Sequence, residues 1–239
     1  MATNQGQLYL IPTPIGNLRD MTLRAREILE QVDLVACEDT RVSGLLLKNL
    51  GLKKKLISYH DFNESRRAGQ LLEMLKKGQS IGVITDAGSP GISDPAYRVV
   101  RSALENNVNI VALPGPTALI PALTASGLPT DRFFFEGFLP PKSGARHKHL
   151  EKIKNLEHTL VFYESPHRVH KTLEAMQDIL GDRPACLARE ISKKFEEYLR
   201  GRISEIRTRI ENKNVKGEIV LVVAGNPAAG KQKDSREAS

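Results

Sequence analysis

The sequence predicts an α/β protein made of two α/β domains, the first with a parallel sheet and the second with a mixed sheet. Short apolar runs alternate with helical patterns through the first half. These runs are almost continuously apolar, which is typical of parallel strands buried on both faces. In the second half two strand-like runs follow each other without a helix, which favours a mixed sheet. We expect domains at residues 1–127 and 128–225, divided near Gly127-Leu128-Pro129, and a small, charged, disordered tail at 226–239.

The elements of the first domain follow from its apolar runs and from residues that cap or stop helices. The predicted strands are 8–11, 33–37, 56–58, 81–84 and 110–113. The predicted helices are 22–30 with Thr22 as N-cap, 40–50 with Thr40 as N-cap, 63–77 with Asn63 as N-cap and Gly78 as stop, 94–105 with Asp94 as N-cap and Pro95 in the first turn, and 117–125.

The second domain begins with an aromatic-rich run and ends with an apolar one. Its predicted strands are 132–139, 160–163, 185–188, 195–199 and 218–223, of which 195–199 is interrupted by Glu196 and Glu197. Its predicted helices are 165–180, opened by Ser165 and Pro166, and 203–210. Residues 141–148 read as a basic loop that could move over a substrate.

Composition limits the classes of function. The chain has 239 residues, 40% of them hydrophobic, so it can bury a substantial core. Its net charge of +7 suits an acidic partner such as RNA without requiring one. Cys37 and Cys186 lie in apolar contexts, and we find neither a signal peptide nor a membrane-length apolar run, so we expect a cytoplasmic protein. Zinc-ligand spacing, phosphate loops and a G-x-S-x-G elbow are absent, and we expect no metal.

A long loop of small residues is the most informative local feature. Residues 85–95 read Thr-Asp-Ala-Gly-Ser-Pro-Gly-Ile-Ser-Asp-Pro, between a predicted strand and a predicted helix. Strand-to-helix connections usually have two to six residues, so an eleven-residue loop of this composition favours a ligand site over a plain connection. Four further loops also follow predicted strands, at 12–18, 37–41, 59–64 and 113–118. In a parallel sheet all five lie at the carboxyl edge, where α/β proteins bind small molecules.

Seven motifs occur in order along the chain. They are Pro12-Thr13-Pro14-Ile15-Gly16-Asn17-Leu18, Glu38-Asp39-Thr40-Arg41, 85–95, Pro114-Gly115-Pro116, Phe162-Tyr163-Glu164-Ser165-Pro166-His167-Arg168, Ala188-Arg189-Glu190-Ile191-Ser192-Lys193 and Lys216-Gly217-Glu218-Ile219-Val220. Over residues 7 to 225 the chain resembles the tetrapyrrole-methylase-fold family of S-adenosylmethionine-dependent enzymes. It most resembles the branch that methylates the ribose 2′-hydroxyl of a cytidine in small-subunit (16S) ribosomal RNA.

The resemblance implies a methyl donor, S-adenosylmethionine, held in the cleft between the two domains largely by backbone groups. The implied donor-binding residues are Pro14, Ile15, Asp86, Ala87, Gly88, Gly91, Thr117, Ala118, Tyr163, Glu164 and Ile191. Many family members continue into a helical extension after the second domain, and the donor motifs do not depend on it. The resemblance also supports a homodimer, and so does the apolar run Phe133-Phe134-Phe135, unless the second domain itself covers these rings.

The base that removes the hydroxyl proton is left open by the sequence. The candidates are Glu38, Asp39 and His60, with Glu64 and Asp86 as further carboxylates. Glu38 and Asp39 are interpreted equally well as solvated charges near a helix cap. A lone histidine such as His60 is more often structural than catalytic. Basic residues beside the motifs are candidates for binding ribosomal RNA or the 30S subunit: Arg41, Arg168, Arg189, Lys193 and Lys194. Two alternatives stay open, a tetrapyrrole methyltransferase of the same fold and a ribosome-associated protein that binds the donor without catalysis.

Overall fold

The structure, a computed structural model, describes residues 5–226. The predicted tail at 226–239 lies outside the described residues, apart from Asn226. The chain divides into two compact units, the first ending at Thr117 and the second beginning at Ala118. The sequence pattern placed this division near Gly127. The structure assigns the helix Leu119–Thr124 to the second unit because that helix packs against the strand Ile219–Val223.

The first unit is a five-stranded parallel sheet with the strand order β3-β2-β4-β1-β5. Strands and helices alternate along the chain as the apolar pattern predicts. The elements are β1 (Leu8–Leu10), a 3-10 turn (Leu18–Asp20), α1 (Leu23–Gln31), β2 (Leu34–Cys37), α2 (Thr40–Asn49), β3 (Lys55–Ser58), α3 (Glu64–Lys76), β4 (Ile81–Val83), α4 (Tyr97–Glu105) and β5 (Ile110–Ala112).

Helices cover both faces of this sheet, as continuous apolar strands require. On one face α3 and α4 contribute Leu71, Leu75 and Val99 to a buried cluster. On the other face α1 and α2 contribute Leu29 and Leu47 to a second cluster. All four residues of β2 are buried between them. Because every strand runs the same way, the loops that follow all five strands meet at one edge of the sheet.

Helices α4 and α2 of the first unit are not capped by the predicted residues. Helix α4 begins at Tyr97, three residues after the expected cap Asp94. Ser93 has a left-handed φ of 63°, and one carboxylate oxygen of Asp94 accepts a hydrogen bond from the Gly91 N–H at 2.6 Å, so Asp94 closes the loop instead of capping the helix. Helix α2 is capped by Asp39 and not by Thr40, since the Asp39 carboxylate accepts from the Arg41 N–H at 2.8 Å.

The second unit is a five-stranded mixed sheet with the strand order β6-β7-β10-β8-β9, in which only β6 and β7 are parallel neighbours. This confirms the predicted fold class. The elements are α5 (Leu119–Thr124), β6 (Phe133–Phe138), α6 (Ser143–Ile153), β7 (Thr159–Glu164), α7 (Val169–Leu180), β8 (Pro184–Arg189), β9 (Glu197–Arg202), α8 (Ile203–Ile210) and β10 (Ile219–Val223).

The predicted basic loop at 141–148 is wrong, because most of that segment belongs to α6. The helix is fixed by Leu150 and Ile153, which join the buried cluster of the second unit, and by the buried side chain of Arg146. Its surface is so rich in charged residues that the apolar period is faint in the sequence. Strand β9 also starts two residues later than predicted, at Glu197.

Candidate functional site

The loop after β1 is tied to the long loop after β4 by backbone and side-chain hydrogen bonds. The Thr13 N–H donates to the Gly88 carbonyl at 2.9 Å, and the Gly88 N–H donates back to the Thr13 carbonyl at 3.0 Å. The Thr13 hydroxyl, fully buried, donates to the Thr85 carbonyl at 3.0 Å. Thr13 is not among the donor-binding residues that the sequence motifs imply. Its position in the first motif was the available signal.

The loops after β2 and β5 are joined to the same network. The Ser89 hydroxyl donates to the Pro116 carbonyl at 2.9 Å, and the Asp39 N–H donates to an Asp86 carboxylate oxygen at 3.2 Å. A Cβ on Gly115 would lie 2.5 Å from the Cβ of Pro12, so only glycine allows the first and last loops to approach this closely. The carboxyl edge is therefore one preformed surface and not four independent loops.

Two glycines of the long loop adopt backbone conformations that other residues rarely reach. Gly88 has φ of 94° and Gly91 has φ of 89°. A Cβ on Gly88 would make ordinary contacts with Ile15 and the Pro116 carbonyl, so space alone does not demand glycine there. The left-handed backbone conformation at this position is what requires glycine. Ala87, between Asp86 and Gly88, is exposed at the rim and does not have a positive φ. Ala87 and Gly91 are thus small, exposed residues at this edge, whereas Gly88 is buried with both of its backbone groups paired to Thr13.

Carboxylates at the same edge differ in basicity. Burial, followed by repulsion from Asp39, raises the pKa of Asp86. Partial desolvation also raises the pKa of Glu38, although this residue is exposed, and the negative charges of Asp86, Asp94 and Asp61 add to the effect. By contrast, hydrogen bonds from Arg41 lower the pKa of Asp39 to about 2. Glu38 is therefore a stronger proton acceptor than its neighbour Asp39.

His60 is held by a hydrogen-bond pair with Asn63. The Asn63 amide oxygen accepts from the His60 backbone N–H at 3.0 Å, which leaves its amide nitrogen facing His60 Nε2 at 3.0 Å. Nε2 then accepts, so in the neutral ring the proton sits on Nδ1. Nδ1 is buried and has no hydrogen-bond partner among residues 5–226. The ring nitrogen that has no partner in this range, Nδ1, is therefore a hydrogen-bond donor in the neutral ring, and this disfavours His60 as the base. Glu64 is paired with Arg98.

In the second unit, Glu164 at the end of β7 is fixed in the interior. Its side chain is 3% exposed. One carboxylate oxygen accepts from the Ser165 N–H at 2.7 Å, and the other accepts from the Thr172 hydroxyl at 2.5 Å. Arg168 lies 3.3 Å from the first oxygen and also donates to the Leu139 carbonyl. The side chain is thus occupied, and a ligand at this position would meet the backbone of Glu164.

Two other second-unit positions differ in how they are held. The ring of Tyr163 packs edge-to-face against Phe135 and Phe138, with centroids 5.0 and 5.7 Å away. Ile191 is buried between Glu190 and Ser192, whose φ values are 51° and 70°. Glu190 and Ser192 are non-glycine residues in a left-handed conformation on either side of Ile191, and such strain clusters at ligand sites.

The five cations predicted to bind RNA all have partners inside the protein. A phosphate would have to compete with those partners. The contacts are Arg41 with Asp39, Arg168 with Glu164, Arg189 with Glu197, Lys193 with Glu190 and Glu218, and Lys194 over the ring of Phe195.

The part of the chain that the structure describes lacks two features. No group of three or more His, Cys, Asp or Glu side chains in that part is arranged to hold a metal ion. No described helix has the length and apolar character needed to cross a membrane.

A parallel sheet with a preformed, glycine-rich carboxyl edge is the arrangement at which α/β proteins bind small molecules, and here a mixed-sheet unit accompanies it. Residues 7–207 match the family described as Tetrapyrrole (Corrin/Porphyrin) Methylases, and the chain belongs to that family. This agrees with the family that the sequence motifs indicate.

Similar curated proteins carry one name, Ribosomal RNA small subunit methyltransferase I. The protein from Haemophilus influenzae is 51% identical over 225 residues, 93% of this chain and 80% of that protein. The protein from Escherichia coli O157:H7 is 48% identical, over 94% of this chain and 80% of that protein. The protein from Micromonospora olivasterospora is 46% identical, over 96% and 74%.

Solved structures with the same fold are much more distant in sequence. The methyltransferase CobJ is 19% identical, with a TM-score of 0.68 over 93% of this chain and 95% of its own. A uroporphyrin-III-C-methyltransferase from Thermus thermophilus is 18% identical, with a TM-score of 0.61 over 96% of each chain. At this identity the similarity shows the fold alone.

Proposed function

We propose that this chain is an S-adenosylmethionine-dependent methyltransferase that methylates the ribose 2′-hydroxyl of a cytidine in 16S ribosomal RNA. The observation that carries the proposal is the 46–51% identity, over most of the chain, to proteins named for methylation of small-subunit ribosomal RNA. Such a substrate places the protein in the bacterial cytoplasm, with the 30S subunit or its RNA as partner.

The carboxyl edge of the first unit fits the donor. Its long loop contains two glycines in left-handed conformations, Gly88 and Gly91, and is held against Thr13. Backbone groups of Pro14, Ile15, Ala87 and the two glycines would hold the donor. The donor supplies an electrophilic methyl group on a cationic sulfur. The carboxylates along the edge stabilise that charge.

Methyl transfer to the ribose requires a proton acceptor at the hydroxyl. The oxygen–carbon bond forms as the carbon–sulfur bond breaks, and the hydroxyl proton passes to the acceptor. Among the three residues predicted for this role, Glu38 fits best. It is exposed, its pKa is raised by partial desolvation and by neighbouring carboxylates, and no hydrogen-bond donor within residues 5–226 occupies its carboxylate. Asp39 is held as a weak base by Arg41, and the ring acceptor of His60 is already used by Asn63.

One labelling experiment tests the reaction and its acceptor. The protein is incubated with tritiated donor and with small ribosomal subunits from a strain that lacks this methylation. We expect label on one nucleotide's sugar and none when that nucleotide carries a 2′-deoxyribose. Label on a base would contradict the ribose assignment. A parallel incubation with a tetrapyrrole precursor tests the alternative that the fold neighbours raise, and absence of label in every incubation would favour donor binding without catalysis.

A homodimer is also part of the proposal. Strand β6 is at the edge of its sheet, and Phe133, Phe134 and Phe138 on it are 39%, 43% and 56% exposed. Exposed aromatic side chains on an edge strand mark a surface that another chain can cover. We expect a dimeric mass by light scattering at micromolar concentration. Replacing Phe134 and Phe138 by serine should yield monomers, and a monomeric wild type would contradict the dimer.

A further inference from the structure

The free edge of the parallel sheet carries a basic groove distinct from the carboxyl-edge loops. Within the described residues β3 pairs with β2 on one side and with no strand on the other. Helix α3 runs back beside this edge, and the groove between the two has a volume of about 810 Å³. Four cations line it, Lys55, Arg66, Arg67 and Lys77, against the single acid Glu73.

These cations, unlike those beside the motifs, are largely unpaired. Lys55, Arg66 and Lys77 are exposed and have no side-chain hydrogen bond or ion pair with any residue from 5 to 226. Arg67 donates to the Gln70 side chain, but its Nε is buried and has no partner in the same range. Glu73, the one acid in the groove, lies 3.6 Å from Lys76 and is balanced by it. The groove therefore carries a net positive charge that nothing in the described chain neutralises.

An exposed aromatic ring lies on the loop that joins the two walls of the groove. Phe62 follows β3 and precedes α3, and it is 99% exposed. Its ring centroid lies 6.0 Å from that of the His60 ring, and at this exposure the Phe62 ring is open to a stacking partner. Because α3 is antiparallel to β3, Arg66 lies toward the carboxyl edge and Lys77 toward the opposite edge. Eleven helical residues separate them by about 16 Å, the length of several nucleotides.

We infer that this groove is where the RNA substrate docks, with phosphates on Lys55, Arg66, Arg67 and Lys77 and an unstacked base on Phe62. The inference rests on the proposed function, since it names the surface that holds the same substrate. Single-stranded RNA is bound by combining a basic groove that tracks the backbone with aromatic rings on which bases stack. Both parts occur here in one continuous segment, residues 55–77. A strand of a second protein copy would fit the open edge of β3 but would leave the four cations unpaired.

The test compares two matched pairs of substitutions in the full-length protein. The groove variant carries Arg66→Gln and Lys77→Gln. The control variant carries Lys152→Gln and Lys171→Gln, which remove the same charge from exposed positions on α6 and α7. For each, KM for unmethylated small subunits is measured at several salt concentrations, and donor affinity is measured by calorimetry. A third variant, Phe62→Ala, removes the ring alone.

We expect the groove variant to raise KM about tenfold and to make its log–log salt dependence shallower by about 1.4 to 1.8, since each lost phosphate contact removes roughly 0.7 to 0.9. Phe62→Ala should raise KM about fivefold, the effect of losing one stacked base, with the salt dependence unchanged. Donor affinity should remain that of the wild type in all variants, and the control variant should keep the wild-type KM.

A groove variant with wild-type KM and salt dependence overturns the inference, and so does an equal effect in the control variant. A change of molecular mass by light scattering with KM unchanged would assign the groove to a second protein copy instead. If the wild type labels no ribosomal RNA, the proposed function fails. In that case the affinity of the same variants for small ribosomal subunits is measured directly by filter binding, and this affinity tests the groove.

Discussion

Replacing Thr13 by valine should weaken donor binding by loosening the carboxyl edge. Valine keeps the shape of threonine but exchanges the hydroxyl for a methyl group. The substitution therefore removes the 3.0 Å hydrogen bond to the Thr85 carbonyl and leaves that buried oxygen without its hydroxyl donor. A net hydrogen bond contributes about 0.5–1.5 kcal/mol, and an unpaired buried acceptor costs about 1–3 kcal/mol. We expect the free energy of unfolding to fall by about 1–2 kcal/mol and Tm to fall by roughly 3–7 °C.

The matched control is Thr159→Val in the second unit. Thr159 is also buried, and its hydroxyl donates to the Pro129 carbonyl at 2.7 Å, so the same substitution removes the same kind of bond. Thr159 begins β7, whereas the residues predicted to meet the donor lie at the end of that strand. The free energy of unfolding should therefore fall by a similar amount in the two variants, although only Thr13 lies beside the loops predicted to bind the donor.

Calorimetry with S-adenosylmethionine separates the two effects. Thr13→Val should raise the donor Kd about five- to tenfold, because about 1 kcal/mol of the binding free energy is spent on ordering the long loop again. Thr159→Val should keep the wild-type Kd. An unchanged Kd in Thr13→Val, or an equal loss in both variants, would refute the claim that the Thr13–Thr85 bond pre-forms the donor site.

Two further substitutions test the donor and the base. Ala87→Leu should abolish measurable donor binding and leave the circular dichroism spectrum unchanged. Ala87 is exposed at the rim and lacks the left-handed conformation that would make a substitution of Gly88 strained. Retained donor affinity in this variant would place the donor elsewhere. Glu38→Gln should lower kcat by about 10² or more. Because the Glu38 pKa is raised, the wild-type rate should rise as pH increases through that raised value, and Glu38→Gln should lose this rise. Glu64→Gln, whose carboxylate pairs with Arg98, is the matched control and should keep it.

The sequence predicted the sheets well because their strands are short, apolar and separated by helical patterns. The order of strands and helices, the parallel first sheet and the mixed second sheet all follow from that pattern. The start of α4 did not follow, because Ser93 adopts a left-handed conformation that only the surrounding loop imposes. Helix α6 was missed for the opposite reason: its surface residues are charged and its buried Arg146 reads as exposed in the sequence.

The site was predictable at the level of loops and less so at the level of side chains. Spacing showed that five loops meet at one edge, but not that Thr13 holds Thr85 or that Asp86 accepts from the Asp39 backbone. Such bonds join residues 47 or 72 positions apart and leave no periodic trace. The same holds for basicity, since the difference between Glu38 and Asp39 depends on which carboxylate Arg41 contacts.

Ion pairs within the protein favour the cations of the β3 groove over those beside the motifs as the proposed RNA-binding residues. Proximity to the motifs selected Arg41, Arg189 and Lys193, yet each is bound to a carboxylate of the protein. Paired cations gain little from a phosphate, because the gain is offset by losing the existing partner, whereas unpaired cations release counterions on binding. Arg66 and Lys77 belong to the second kind. Substitutions at the β3 edge should then weaken RNA binding without changing donor affinity, and substitutions in the loops should do the reverse. The two affinities would instead change together if the cations beside the motifs bound both the donor and the RNA.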